Sequence, residues 1–230
     1  MAAIEIRDLQ WGYAKGGQHI EVLAGINLDI SAGGVVALLG QSGSGKSSLL
    51  NLMAGIEPLQ GGDIVVNGQS LAAMGEQQRS LFRRCHVGFV YQFFNLIPTL
   101  TAAENIELVL ELNGESRQTA TDRALQQLKA LGLNDKAQVF PDVLSGGEQQ
   151  RVAIGRALVH HPALILADEP TGNLDANSGR IVLQRLLQQA RDQQACLIIV
   201  THSQAVAAQA DRILTLTEGE LQESQSELAW

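Results

Sequence analysis

The chain has 230 residues, 45% of them apolar and 17% charged, with a net charge of −8. That is enough apolar matter for a large core, and the acidic balance argues against a nucleic-acid partner, which needs a basic footprint. The nearest thing to a basic patch is the pair Arg83-Arg84. Cys85 and Cys196 lie far apart without a CxxC, so neither a disulfide framework nor a zinc site is indicated, and a reducing compartment is expected.

The first thirty residues read as antiparallel strand material. Ile4-Glu5-Ile6 alternates, and Gln18 to Leu23 and Ile26 to Ile30 follow as further strands, separated by glycine-bearing turns. Residues 1–9 lack the long apolar core of a signal peptide. No apolar run in the chain approaches the ~20 residues needed to span a bilayer. The expectation is a soluble, cytoplasmic chain whose membrane part, if it works at a membrane, is supplied by another polypeptide.

Val35 to Leu39 is an apolar run that reads as a buried strand. It leads into Gly40-Gln41-Ser42-Gly43-Ser44-Gly45-Lys46-Ser47, which fits G-x-x-x-x-G-K-[ST], and Ser48 to Met53 reads as the start of a helix that stops at Gly55. Strand, glycine-rich loop and helix start form a phosphate cradle. The glycines let several backbone N–H groups point at one anion, and the helix adds its positive end. Lys46 can then reach the terminal phosphates, and the Ser47 hydroxyl can hold a magnesium ion. The motif predicts binding of a nucleoside triphosphate.

Gly61 to Val66 continues the antiparallel material and closes in a turn at Asn67-Gly68. Residues from about 93 to 143 are more polar and mostly helical in pattern, with Ala124, Leu125, Leu128 and Leu131 as one apolar stripe ended by Gly132. This stretch reads as a helical lobe inserted into a nucleotide-binding core made of 1–92 and 144–221. Ser145-Gly146-Gly147-Glu148 then opens a strong helical pattern, a second helix N-terminus suited to an anion; an ordinary N-cap is the plain alternative.

From residue 163 strand and helix alternate: strand 163–167, helix 181–190, strand 197–200 with Cys196 as a buried thiol at its head, and strand 213–216. Alternation of this kind means a parallel sheet with helices on its faces. The segment 222–230 reads as a polar, loose tail. Strand 163–167 ends in Asp168-Glu169, where side chains emerge beside a ligand crevice; Asp168 suits the outer shell of the magnesium, and Glu169 suits polarising an attacking water.

The phosphate loop, Leu144-Ser145-Gly146-Gly147-Glu148-Gln149-Gln150-Arg151 and the run 166–175 (Leu-Ala-Asp-Glu-Pro-Thr-Gly-Asn-Leu-Asp) stand in one order that resembles the ABC-type ATPases, over nearly the whole chain. The resemblance implies an α/β fold: a P-loop parallel-sheet core with an N-terminal antiparallel β subdomain and an inserted α-helical subdomain. It implies an ATPase using ATP and Mg2+. By resemblance Tyr13 stacks on adenine, with Trp11 as fallback. Gln92 touches magnesium and senses the partner subunit, and His202 contacts the γ-phosphate. Gly40, Ser42, Gly43, Ser44, Gly45, Lys46, Ser47 and Ser48 hold the phosphates. Ser145, Gly146, Gly147 and Glu148, the signature, with Asp175, serve the site of the other protomer in a homodimer. Departures from the pattern are small: Gly34 where glutamate is usual, Ser48 for threonine, Ser203 for aspartate.

The run 87–106, with Glu169-Pro170-Thr171-Gly172-Asn173-Leu174-Asp175, is similar to the bacterial branch holding the lipoprotein-release, macrolide-export and cell-division ATPases. That implies an integral-membrane permease as partner and a place at the inner face of the plasma membrane. Phe93, Phe94, Leu96 and Ile97 are expected to border the groove that receives the permease's coupling helix. A non-transport membrane machine of the cell-division type, or a soluble ABC ATPase, are the alternatives.

Overall fold

The computed structural model describes residues 2–224; the end of the expected tail, 225–230, lies outside them. β1 (Ala2–Lys15) and β2 (Gln18–Ser31) form one long antiparallel hairpin. This corrects the expectation of shorter strands divided by turns. Gly25, expected at a turn, has φ 79° and sits at a bulge inside β2, where Leu9 pairs with Ile26 but Gln10 with Ala24. A bulge absorbs an extra residue without ending the ladder, so the glycine marks a bend.

β3 (Val35–Leu39) precedes the phosphate loop and α1 (Lys46–Met53) follows it. The helix ends in a Schellman arrangement, with Ile56 N–H on Asn51 O and Gly55 N–H, φ 64°, on Leu52 O. β4 (Gly61–Val66) pairs with β1, and Asn67 and Gly68, φ 47° and 77°, turn it into β5 (Gln69–Ser70).

α2 (Glu76–His86) and β6 (Val87–Val90) have no counterpart in the sequence expectations. α2 buries Phe82 alone and so carries no apolar stripe, and β6 has four residues with no turn before it. α3 (Ala102–Leu112) begins with a capping box, Thr101 against Glu104, and α4 (Arg117–Ala130) follows. On α4 the buried face is Ala120, Ala124 and Leu128, continued by Leu131; Leu125, expected in that stripe, is 42% exposed. The remaining α-helices and strands are α5 (Gly146–Leu158), β7 (Leu164–Asp168), α6 (Ala176–Asp192), β8 (Cys196–Val200), α7 (Gln204–Ala207), β9 (Arg212–Thr217) and β10 (Glu220–Ser224). β10 takes in Gln222 and Glu223, expected in the tail. Arg212 fixes it through a two-pronged pairing with Glu223 at 2.7 and 3.0 Å.

β2-β1-β4-β5 make an antiparallel sheet, and β10-β9-β3-β8-β7-β6 a second sheet that is parallel except for β10. The central parallel strands are apolar on both faces because each face meets a core. Leu164, Leu166, Cys196, Ile198 and Val200 join α1 and the antiparallel sheet in one core. Their neighbours Ile165, Ala167, Leu197 and Ile199 join α3, α4, α5 and α6 in the other. Among the described residues no helix is long and apolar enough to cross a membrane.

Candidate nucleotide-binding site

β8 pairs with both β3 and β7, so the loops leaving the C-terminal ends of these three strands converge. They and the β1–β2 hairpin enclose a cleft of about 1020 Å³. Its lining includes Ser42, Gly43, Ser44, Gly45, Lys46, Ser47 and Ser48 from the phosphate loop, Asp168 at the end of β7 with Glu169 just after it, and His202 after β8. Gln92, Tyr13 and Trp11 also face it, the last two rings 6.3 Å apart at 49°.

Gly40 is absent from the lining. A Cβ there would stand 2.7 Å from both Leu216 O and Ser44 Oγ, and its carbonyl accepts from Lys46 Nζ at 2.9 Å, so it supports the lysine from behind. Gly45 caps α1 at φ 101°, and a Cβ on it would meet Val22 Cγ1 at 2.7 Å. Lys46 is buried, with Nζ also on Gln41 O at 2.7 Å.

The electrostatics suit a charged ligand. Burial pushes the Lys46 ammonium down, opposed by Asp168 and Glu169. Burial likewise pushes the Asp168 carboxyl up, opposed by Lys46 and His202. Each charge is short of counter-charge. Ser44, in the lining of the cleft, carries a buried Oγ with no hydrogen-bond partner among the described residues. A triphosphate with a divalent cation supplies both signs at once, so the residues present fit the pair: Ser47, Gln92 and Asp168 would hold the cation, which would neutralise phosphate charge.

Glu169 has φ 46°, uncommon for a non-glycine residue, and its N–H donates to Val200 O at 2.9 Å. Thr201, which sequence reasoning misses, is buried and donates its hydroxyl to Glu169 Oε2 at 3.2 Å. Its only sequence signal is its place directly after an apolar strand. The same holds for Glu218 and Gly219, which line the cleft from the β9–β10 turn. Asn173 is missed as well: it accepts from Gln92 Nε2 at 3.3 Å and donates to Gln92 O at 3.0 Å.

Ser145, Gly146, Gly147, Glu148 and Asp175 do not line this cleft. Ser145 is exposed at the N-cap of α5, where its Oγ receives Glu148 N–H at 3.4 Å and Glu148 Oε2 receives Ser145 N–H at 2.8 Å. The Ser145 backbone N–H, above all, holds the Glu148 carboxyl below its usual range. Asp175 caps α6, accepting from the N–H groups of Asn177 and Ser178 at 3.0 Å each.

A second, mainly apolar groove of about 470 Å³ is lined by Phe89, Tyr91, Val109, Leu112, Arg84 and His160, among others. None of Phe93, Phe94, Leu96 and Ile97, expected at such a groove, lines it. Leu96 packs instead against the helical core, and Phe93 and Ile97 are exposed.

A phosphate loop between a parallel strand and a helix, facing an acidic strand end, defines a P-loop nucleotide-binding protein. The ABC transporter family matches residues 23–172. The chain is 50% identical over 218 residues to an uncharacterized ABC transporter ATP-binding protein of Mycobacterium tuberculosis, covering 95% of this chain and 88% of that protein. It is 44% identical to the lipoprotein-releasing system ATP-binding protein LolD of Zymomonas mobilis, over 95% and 94% of the two chains. It is 43% identical to the macrolide export ATP-binding/permease protein MacB of Escherichia coli, over 95% of this chain but 34% of that one. Among solved structures the dimeric ATP-binding cassette MJ0796, in a post-hydrolysis state bound to ADP and Pi, superposes with a TM-score of 0.86 at 36% identity, covering 96% and 98% of the chains. The chain belongs to the ABC transporter ATP-binding family, and it is an ATPase.

Proposed function

We propose that two copies of this chain bind ATP and Mg2+ head to tail, and that the closing and opening of the pair drives an integral-membrane permease of the lipoprotein-release or macrolide-export type. The observation that carries the reading is the separation of two half-sites. The cleft holds the phosphate loop, Asp168, Glu169 and His202, while the signature helix start at Ser145 stands exposed outside it. A second helix N-terminus brought by the partner sandwiches the triphosphate and excludes water from it. Two-fold symmetry makes both sites alike. The dimeric state of MJ0796 supports this.

Within one site Lys46 binds terminal phosphate oxygens, Ser47, Gln92 and Asp168 hold the cation, Tyr13 takes the adenine, Glu169 orients and deprotonates the attacking water, and His202 contacts the γ-phosphate. Held by Ser47, Gln92 and Asp168, a divalent cation would supply neutralisation of the charge that develops on the phosphate. The LolD and MacB likenesses support the permease type. The groove at Phe89, Tyr91 and Leu112 is our candidate for the coupling-helix site; with a permease as partner the chain works at the cytoplasmic face of the inner membrane, and its acidic balance speaks against a nucleic-acid partner.

The test is the mass in solution of a Glu169→Gln variant, with and without ATP. A monomer that becomes a dimer only with ATP, and fails to do so when Ser145→Arg is added, is the expected result. ATP-independent mass, or a dimer that tolerates Ser145→Arg, overturns the shared site.

A further inference from the structure

We propose that α5 holds the Gln92 loop in its working position through two side chains, Gln150 and Arg156, and that Arg156 is a positioning residue for Gln92. The proposal rests on the reading of Gln92 as a residue of the nucleotide site.

The loop needs holding. Phe94 and Asn95 are consecutive non-glycine residues at φ 55° and 50°. Left-handed backbone costs roughly 1–2 kcal/mol per residue and persists only where the surroundings impose it. The surroundings here are two donors on one helix. Gln150, fully buried, donates from Nε2 to Tyr91 O at 3.2 Å and to Pro170 O at 2.8 Å. It therefore ties the residue before Gln92 to the residue after Glu169. Arg156 closes the other end, donating from Nη1 to Asn95 O at 2.5 Å and from Nη2 to Phe94 O at 3.0 Å.

The guanidinium is an expensive choice for such a contact. Burial pushes it down from its ordinary value, and no carboxylate pairs with it among the described residues. Its charge is met by the two carbonyl dipoles, each taken by a different nitrogen of the planar fork. Gln150 Oε1 is buried without a partner, so that side chain also carries a cost that its two donations offset. Both donors ride on the helix that begins at Ser145, so the loop carrying Gln92 and the helix presenting the signature move as one body.

Without the clamp the loop relaxes toward right-handed backbone and Gln92 shifts, while Lys46 and the phosphate loop keep their hold on ATP. A displacement of about 1 Å in a site of this kind costs on the order of 10²-fold in turnover. Arg156→Lys keeps the charge and loses the fork. Gln150→Met removes both donations and the orphaned oxygen; it breaks the Tyr91 end of the clamp, and Tyr91 O and Pro170 O lose that donor, which carries a folding cost of its own.

The experiment uses the full chain with Cys85→Ser, spin labels at Phe93→Cys and Val143→Cys, which are 72% and 73% exposed, and the buried Cys196 left in place. Pulsed-resonance distances between labels and ATP hydrolysis are measured for each variant. The expected result is a folded Arg156→Lys protein that binds ATP within about twofold of the parent, turns over roughly 10–100-fold more slowly at saturating ATP, and has a broadened 93–143 distance. A folded variant with parental turnover, or a parental distance in both variants, overturns the clamp. Should Arg156→Lys fail to fold, Arg156→Gln takes its place, and Gln150→Met reads the Tyr91 end of the clamp. Gln92→Ala separates the two readings: undiminished hydrolysis there removes Gln92 from the site, while the 93–143 distance still supports or overturns the clamp.

Discussion

Glu169 and His202 meet twice at one oxygen: the His202 backbone N–H donates to Glu169 Oε1 at 2.7 Å, and its ring Nε2 lies 3.8 Å from the same atom. With Thr201 on the other oxygen, the carboxylate is held from the end of β8 although it sits at the end of β7. A positioned acceptor of this kind is what water activation beside a phosphoryl group needs.

Glu169→Gln is therefore expected to slow hydrolysis by about 10²–10⁴-fold. The amide keeps an oxygen for the His202 N–H, so the loop stays in place and equilibrium ATP binding is retained. Steady-state hydrolysis and ATP titration, measured on one preparation, check the two halves together.

Lys46→Ala removes the buried ammonium whose Nζ now rests on Gly40 O and Gln41 O. A hydrogen bond to a charged group contributes about 1.5–3 kcal/mol, so ATP affinity should fall roughly 10–150-fold. Isothermal titration reads the change directly, and unaltered affinity would count against the phosphate-loop assignment.

Gly88→Ala would place a Cβ 2.1 Å from Ala157 O, a backbone atom of α5 that cannot move aside alone. β6 and α5 must separate, at a cost of about 1–3 kcal/mol in stability. A lowered denaturation midpoint with an unchanged slope is the expected outcome.

His160 is held down to about 4, chiefly by burial, against a backbone contact of its Nε2 with Val87 O at 3.2 Å that acts the other way. The unfolded chain takes up the proton near 6.5 and the folded chain only near 4, so the unfolded state binds more protons in between. Stability is thus full above that window and falls as pH drops through it, by about 3 kcal/mol in all. His160→Gln, which keeps a donor for Val87 O, should flatten the fall in melting temperature across this range relative to the parent.

The elements legible in sequence are those whose signal is contiguous. β3 and α1 are legible from the residues flanking the phosphate loop, β7 and β8 from unbroken apolar runs, and β9 from Ile213, Leu214 and Leu216. α2 and β6 are not, because α2 buries one side chain and β6 is bounded by no turn residue. The long β1–β2 hairpin divides wrongly at Gly25 in a sequence reading, since a bulge glycine and a turn glycine look alike until the partner strand is in place. Gln92, His202, Tyr13 and Asp175 come from family likeness, as no local pattern sets them apart.

By itself the sequence determined the phosphate cradle, the acidic strand end and the capped start of α5, since each is made of backbone N–H groups and side chains within a few consecutive residues. Only the tertiary structure decided how Glu169 is oriented, what holds the Gln92 loop and where the apolar groove lies. Those depend on Thr201, Gln150, Arg156 and Phe89 meeting partners tens of residues away. Contacts across such separations are set by how strands order in the sheet and helices pack on it, and that order has no signature in any one stretch of chain.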